Sequence, residues 1–189
     1  MSDVSLPATN NQQQTTLVGQ VWKYGDGVNT DVIFPGKYTY SLKEPHEIAA
    51  HALEDLDPKF AADAQPGDVI VAGRNWGNGS SREQAVTALK YKGIAAVVAK
   101  SFARIYFRNG INQGLLLITC PEAVDAAQSG DTLEIDLEHN VIRLNGREYS
   151  YPPLSPTALG IINDGGLVQH IRKKLGLTST EAIAAGGGD

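Results

Sequence analysis

The densest chemistry in this sequence lies in one turn, Gly73-Arg74-Asn75-Trp76-Gly77-Asn78-Gly79-Ser80-Ser81-Arg82-Glu83. Its small residues let backbone approach a ligand closely. The apolar run Asp68 to Ala72 precedes it and helical spacing follows, so the turn stands where a strand hands over to a helix. The first amides of a helix have no intrahelical partners and carry the positive end of its dipole. That setting favours an anion, or a serine becoming an alkoxide. Arg82 adds a planar fork suited to a carboxylate. Ser80 to Glu83 also spells Ser-x-x-Glu, the capping box in which side chains satisfy helix-end amides, and the local pattern leaves both readings open. Nucleotide signatures are incomplete: there is no Gly-x-x-x-x-Gly-Lys-[Ser/Thr], and Gly77-Asn78-Gly79 runs into Ser-Ser-Arg-Glu without completing Gly-x-Gly-x-x-Gly. Neither serine lies in a Gly-x-Ser-x-Gly elbow.

Other constellations carry less. His46 and His51 are five residues apart in a helix begun by Pro45, about 140° apart around its axis, whereas a zinc protease needs two ligands four apart on one face. They read as helix-surface residues. Glu54, Asp55 and Asp57 read as a solvated helix end, and His139 and His170 as ordinary polar residues without sequence partners. Cys120, the only cysteine, follows an apolar strand and is expected as a small buried residue. One thiol cannot form an internal disulfide or hold an iron-sulfur cluster, so no metal is assigned to this chain.

The elements that must position the turn follow from periodicity. Asp68 to Ala72, Ile94 to Ala99 and Leu115 to Ile118 are short, mostly apolar runs that suit strands buried on both faces. Helices are expected over Ser81 to Lys92 and Phe102 to Asn112 between them. Thr132 to Leu137, Val141 to Leu144 and Arg147 to Tyr151 read as antiparallel strands, the last two joined through Asn145-Gly146, which tolerates the positive φ of a two-residue hairpin. Helices near Thr157 to Ile162 and Gly166 to Leu175 close the domain. The class is α/β, a parallel-strand core with an antiparallel hairpin portion. The 189 residues, 42% hydrophobic and 20% charged, support one core over 17–176, with a disordered arm over 1–16 and a flexible tail over 177–189. A net charge of −5 argues against nucleic acid and anionic membrane surfaces as partners. No stretch approaches a membrane span and no signal peptide opens the chain, so a cytoplasmic address is expected.

Three ordered blocks resemble the aconitase superfamily, specifically small subunits of the isopropylmalate dehydratase type. They are Gly79-Ser80-Ser81-Arg82-Glu83, then Ala99-Lys100-Ser101-Phe102-Ala103-Arg104-Ile105 with Asn112-Gln113-Gly114-Leu115, and the earlier Gly25 to Tyr38 block containing Asn29-Thr30-Asp31-Val32-Ile33-Phe34-Pro35. The resemblance spans about Val18 to Leu175 and implies the family's swivelling β/β/α domain. It puts Ser80 at the position of the catalytic base, and Ser81, Arg82, Thr30 and Asp31 at substrate-binding positions. Lys100 and Arg104 fall at family-typical positions and are expected to brace structure. By the same resemblance, Lys37, Tyr38, Thr39, Tyr40 and Ser41 occupy the loop expected to read the substrate's variable group. The loop departs from the Arg-Tyr-Leu-Arg-Thr common in isopropylmalate-type relatives, and Asn78 stands where many relatives carry cysteine.

The activity implied is reversible removal and re-addition of water on a hydroxy di- or tricarboxylate. The resemblance implies a large iron-sulfur subunit as partner, in a heterodimer or heterotetramer. That subunit's 4Fe-4S cluster would leave one iron open to bind substrate hydroxyl and carboxylate as a Lewis acid. The substrate expected first is 3-isopropylmalate, with 2,3-dimethylmalate, homoaconitate or a related acid as alternatives. A noncatalytic anion-binding or regulatory module on the same fold is the alternative of another class.

Overall fold

The computed structural model describes residues 15–177. Positions 1–14 of the expected arm, and the expected tail from 178 onward, lie outside the described residues. Among the described residues, seven strands form one mixed sheet in the order β4-β3-β2-β1-β5-β6-β7. Strands β1 (Thr16–Lys23), β2 (Val69–Ala72), β3 (Ala96–Ala99) and β4 (Leu116–Thr119) run parallel, with Val71 opposite Val98 and Val98 opposite Ile118. On the other side of β1, strands β5 (Thr132–Asp136), β6 (Val141–Leu144) and β7 (Arg147–Ser150) are antiparallel. Asn145 and Gly146, at φ 50° and 74°, make the expected tight turn between β6 and β7.

Strand alternation divides the interior in two. Ile70 and Ala72 of β2 point into a core with Phe34, Ile48, Phe60, Leu89 and Tyr106. Val69 and Val71 point the other way, toward Val98, Ile118, Val124, Leu133 and Ile142. Each large side chain fully buried this way contributes about 1.5–3 kcal/mol, which explains why β2 and β3 read as unbroken apolar runs. The first core is covered by α1 (Thr30–Ile33), α2 (Pro45–Ala50), α3 (Pro58–Asp63), α4 (Gln84–Tyr91) and α5 (Arg104–Gln113), and the second receives α6 (Pro121–Ala126). Helices α7 (Pro156–Asn163) and α8 (Leu167–Lys174) pack against α5. Helix α5 ends on Gly114 at φ 79°, where Leu115 N donates to Gly110 O and Gly114 N to Ile111 O, a paired C-terminal cap.

Two elements differ from the sequence expectation. Thr16, the last residue assigned to the arm, opens β1, which joins the parallel and antiparallel halves of the sheet. Helix α4 begins at Gln84 and not near Ser81, because the chain through Ser80, Ser81 and Arg82 is irregular and held by contacts to Thr30, Asn109 and Asp31.

Candidate active site

Three loops meet at the carboxyl ends of β1, β2 and β3. After β1, Gly27 N donates to Arg74 O and Thr30 N to Asn78 O, both at 2.8 Å, so the 24–30 segment lies along the glycine-rich turn after β2. After β3, Trp76 N donates to Ser101 O (3.0 Å) and Ala103 N to Trp76 O (2.9 Å). The blocks separated in sequence are thus laced by backbone hydrogen bonds. Gly77 is required twice over: its φ is 75°, and a Cβ there would stand 2.1 Å from Tyr106 Cγ. Trp76, 1% exposed, packs edge-on against the same tyrosine at 6.4 Å between centroids.

Asn29 caps α1, its Oδ1 accepting from Val32 N at 3.0 Å. Capping fixes the first turn of α1, which carries Thr30 and Asp31. Thr30 is buried, and its Oγ1 accepts from Ser80 N at 3.0 Å. Thr30, expected at a substrate-binding position, thus brackets the serine backbone from beneath the turn. Asp31 is exposed and stands 2.5 Å from Arg82 Nη1. It pairs with the guanidinium and does not reach the serine. Asn109 Nδ2 donates to Ser81 O at 3.2 Å, holding the other end of the turn.

Both serines are exposed, and among the described residues neither hydroxyl has a protein hydrogen-bond partner. The capping-box reading is not realised. The N-cap of α4 is Glu83, with no side-chain cap bond, and Ser80 stands four residues before the first helical residue. The amides of Ser81, Arg82 and Glu83 likewise find no backbone acceptor among the described residues. A free hydroxyl pair, unused amides and a guanidinium thus share one exposed turn, an arrangement able to receive a carboxylate and stabilise a negative oxygen.

An open groove of about 490 Å³ borders the turn, lined by Gly77, Gly79, Ala103, Arg104, Ile105 and Arg108. Arg104, expected as a brace, is exposed and has no ion pair among the described residues; Arg108, one helical turn on, was not singled out from sequence. Their i, i+4 spacing was the available signal. Lys100 does brace: its ammonium pairs with Asp125 on α6. Beside Arg82 lies the 3-10 turn Gly36–Tyr38, the start of the Lys37 to Ser41 loop. Gln84 Nε2 donates to Thr39 O at 3.4 Å, Ser41 is exposed, and Tyr40 is 93% exposed.

Several smaller expectations are corrected. His51 is no free helix-surface residue; it stacks on Tyr38 at 4.0 Å and pairs with Glu54. Glu54 also meets Lys37 at 3.0 Å, while Asp57 caps α3, so this acidic run is engaged and not merely solvated. His139 and His170 have carboxylate partners, Asp136 and Asp164, brought near by local turns. Cys120 is buried at 1% exposure, and burial pushes its thiol up, away from the thiolate a metal would need. Among the described residues no group of three or more His, Cys, Asp or Glu could hold a metal ion, and no helix is long and apolar enough to cross a membrane. This donor set does not fit an iron-sulfur cluster.

The mixed sheet and the bracketed serine-arginine turn define an aconitase-type swivelling domain: residues 29–123 match the aconitase C-terminal domain. The 3-isopropylmalate dehydratase small subunit of Aquifex aeolicus is 48% identical over 86% of this chain and 98% of its own length. That of Hydrogenobaculum is 46% identical over 84% and 98%. The crystal structure of a 3-isopropylmalate dehydratase chain from Methanocaldococcus jannaschii superposes with a TM-score of 0.80 at 42% identity, covering 85% of this chain and 95% of that one. The chain belongs to the family of 3-isopropylmalate dehydratase small subunits.

Proposed function

We propose that this chain is the small subunit of a two-subunit hydro-lyase that dehydrates and rehydrates a hydroxy dicarboxylate, 3-isopropylmalate first, with Ser80 as the base. The observation that carries this reading is the exposed Ser80 hydroxyl, unused by the fold, on a turn whose backbone is bracketed by Thr30. The proton to be removed sits on carbon beside a carboxylate and is weakly acidic. Its removal therefore needs a positioned base together with stabilisation of the carboxylate that takes up the developing charge. Ser80 Oγ accepts that proton while hydroxide leaves the neighbouring carbon; re-addition of water to the alkene in the other sense gives the isomer. A serine hydroxyl is a weak base at neutral pH, and the amides and guanidinium around it are the groups that favour its alkoxide. Arg82 and the Ser81 hydroxyl hold a substrate carboxylate, Asp31 orients the Arg82 fork, and Tyr40 reaches toward the substrate's variable group.

The 4Fe-4S cluster belongs, on this reading, to the large subunit, because the lone buried thiol of this chain cannot hold it. The large subunit covers the face that carries Ser80. The test is anaerobic reconstitution with the cluster-bearing partner and a product assay on 3-isopropylmalate, 2,3-dimethylmalate and homoaconitate. Turnover of 3-isopropylmalate ahead of the others is the expected result. A folded, cluster-loaded complex inactive on every hydroxy acid would leave the noncatalytic anion-binding module.

A further inference from the structure

The Arg82 guanidinium is backed by Gly36: a Cβ at Gly36 would stand 2.7 Å from Nη1, so the 3-10 turn Gly36–Tyr38 limits where the fork can lie. That turn is itself pinned from outside. Tyr38 stacks on His51 with ring centroids 4.0 Å apart and planes 30° from parallel. Lys37 Nζ lies 3.0 Å from Glu54 Oε1, 3.6 Å from Asp55 Oδ1 and 4.8 Å from the centre of the Tyr38 ring. His51 Nδ1 pairs with Glu54, closing a ring of contacts through Lys37, Tyr38, His51 and Glu54.

The segment bearing His51 and Glu54 is held in an unusual conformation. Leu53 between them is fully buried at φ 56°, a left-handed backbone that a side-chain-bearing residue rarely adopts. Its N–H donates to Ile33 O at 2.9 Å, tying the segment to the end of α1, the helix that carries Asp31. Asp31 pairs with Arg82 Nη1 and Gly36 limits the space beside the same nitrogen, and both supports lead back to residues 51–55.

We infer that the 51–55 turn is a positioning element for the carboxylate site. His51 and Glu54 act through Tyr38, Lys37 and Gly36 to set where the Arg82 guanidinium stands. Neither is a catalytic residue. The inference rests on the reading of Arg82 as a carboxylate-binding group and adds two residues that sequence spacing does not connect to it.

The test uses the reconstituted two-subunit complex and isopropylsuccinate, a dicarboxylate without the reactive hydroxyl, as a binding probe, with His51→Ala, His51→Phe, Glu54→Gln, Arg82→Ala and the double variant His51→Ala/Arg82→Ala. His51→Ala is expected to weaken probe binding about tenfold or more, as misplacement of a binding group on the ångström scale does. Glu54→Gln should weaken it less, and His51→Phe, which keeps a ring against Tyr38, should restore most of it. In the Arg82→Ala background, His51→Ala should have no further effect, since the route through Arg82 is already removed. Unchanged binding by a folded His51→Ala complex, or an equal loss with and without Arg82, overturns the inference. Failure of the wild-type complex both to bind the probe and to turn over any hydroxy dicarboxylate overturns instead the functional reading beneath it.

Discussion

Replacing Ser80 by alanine separates chemistry from folding in a single variant. A serine that caps a helix contributes about 0.5–2 kcal/mol, and its loss would be felt in melting. Ser80 makes no such contact: α4 starts four residues later, and no protein group hydrogen-bonds its hydroxyl among the described residues. The one bond that fixes it, Ser80 N to Thr30 Oγ1, uses backbone and survives the change. The expected stability change is therefore within about 0.5 kcal/mol, that of an exposed substitution, which moves Tm by no more than about 2 °C in a chain of this size. Turnover should fall by about 100- to 10,000-fold, the contribution of positioned proton transfer. The assay pairs thermal melting of the isolated chain with product formation by the cluster-loaded complex. The comparison variant is Ser81→Ala, expected to raise KM more than it lowers kcat. Near-normal kcat in a folded, loaded Ser80→Ala complex would refute the base assignment, and a dispensable Ser80 with an indispensable Ser81 would move that role to the neighbour.

Gly77→Ala should destabilise by roughly 2–5 kcal/mol, combining a left-handed backbone with a Cβ 2.1 Å from Tyr106 Cγ; a urea midpoint equal to wild type would show that the turn relaxes freely. Asp136 is held down to about 2, first by the His139 backbone amide and also by the Arg143 guanidinium. A lowered carboxyl contributes stability that is present above about pH 4 and lost as pH falls toward 2. The gap in stability between wild type and Asp136→Asn should accordingly close over that window in acid unfolding, and a gap independent of pH would contradict the assignment. Cys120, buried with its thiol pushed up, should react with iodoacetamide at pH 7 far more slowly in the native chain than in urea; equal rates would mean that the end of β4 opens readily.

Much of this architecture was legible in the chain because it is locally determined. The apolar runs of β2 to β4 are buried on both faces, and Asn145-Gly146 can hardly be anything but a tight turn. Strand β1 escaped because its residues Thr16–Lys23 bury only Val21 and include Gly19 and Gln20; its place is fixed by pairing to β2 and β5, which are distant in sequence. Helices α1, α3 and α6 were missed despite readable starts, Asn29 as a cap and Asp57-Pro58 and Cys120-Pro121 as entries, because four to six residues are too few for periodicity to show. Ser80 and Arg82 stood out by local density. Their supports did not, since Thr30 is fifty positions from Ser80, and His51 meets Tyr38 only once helix α2 has turned the chain back.

The placement of the site has a consequence for how activity arises. The loops after β1, β2 and β3 all open at the carboxyl ends of parallel strands, where α/β sheets commonly bind ligands. Here that edge is uncovered. Ser80 and Ser81 face solvent, Arg82 is already partly neutralised by Asp31, and Arg104 and Arg108 line an open groove. Water competes for the exposed donors among them and weakens the electrostatic interactions the turn could offer to a developing anion. The same groups beneath a covering surface would act in a far less polarisable medium, which is where fixed amides and a guanidinium gain their effect on a negative oxygen. On the proposed reading, then, the partner does more than bring its cluster. By excluding water it turns a solvated serine into a base, and the isolated chain should bind dicarboxylates weakly and convert none of them.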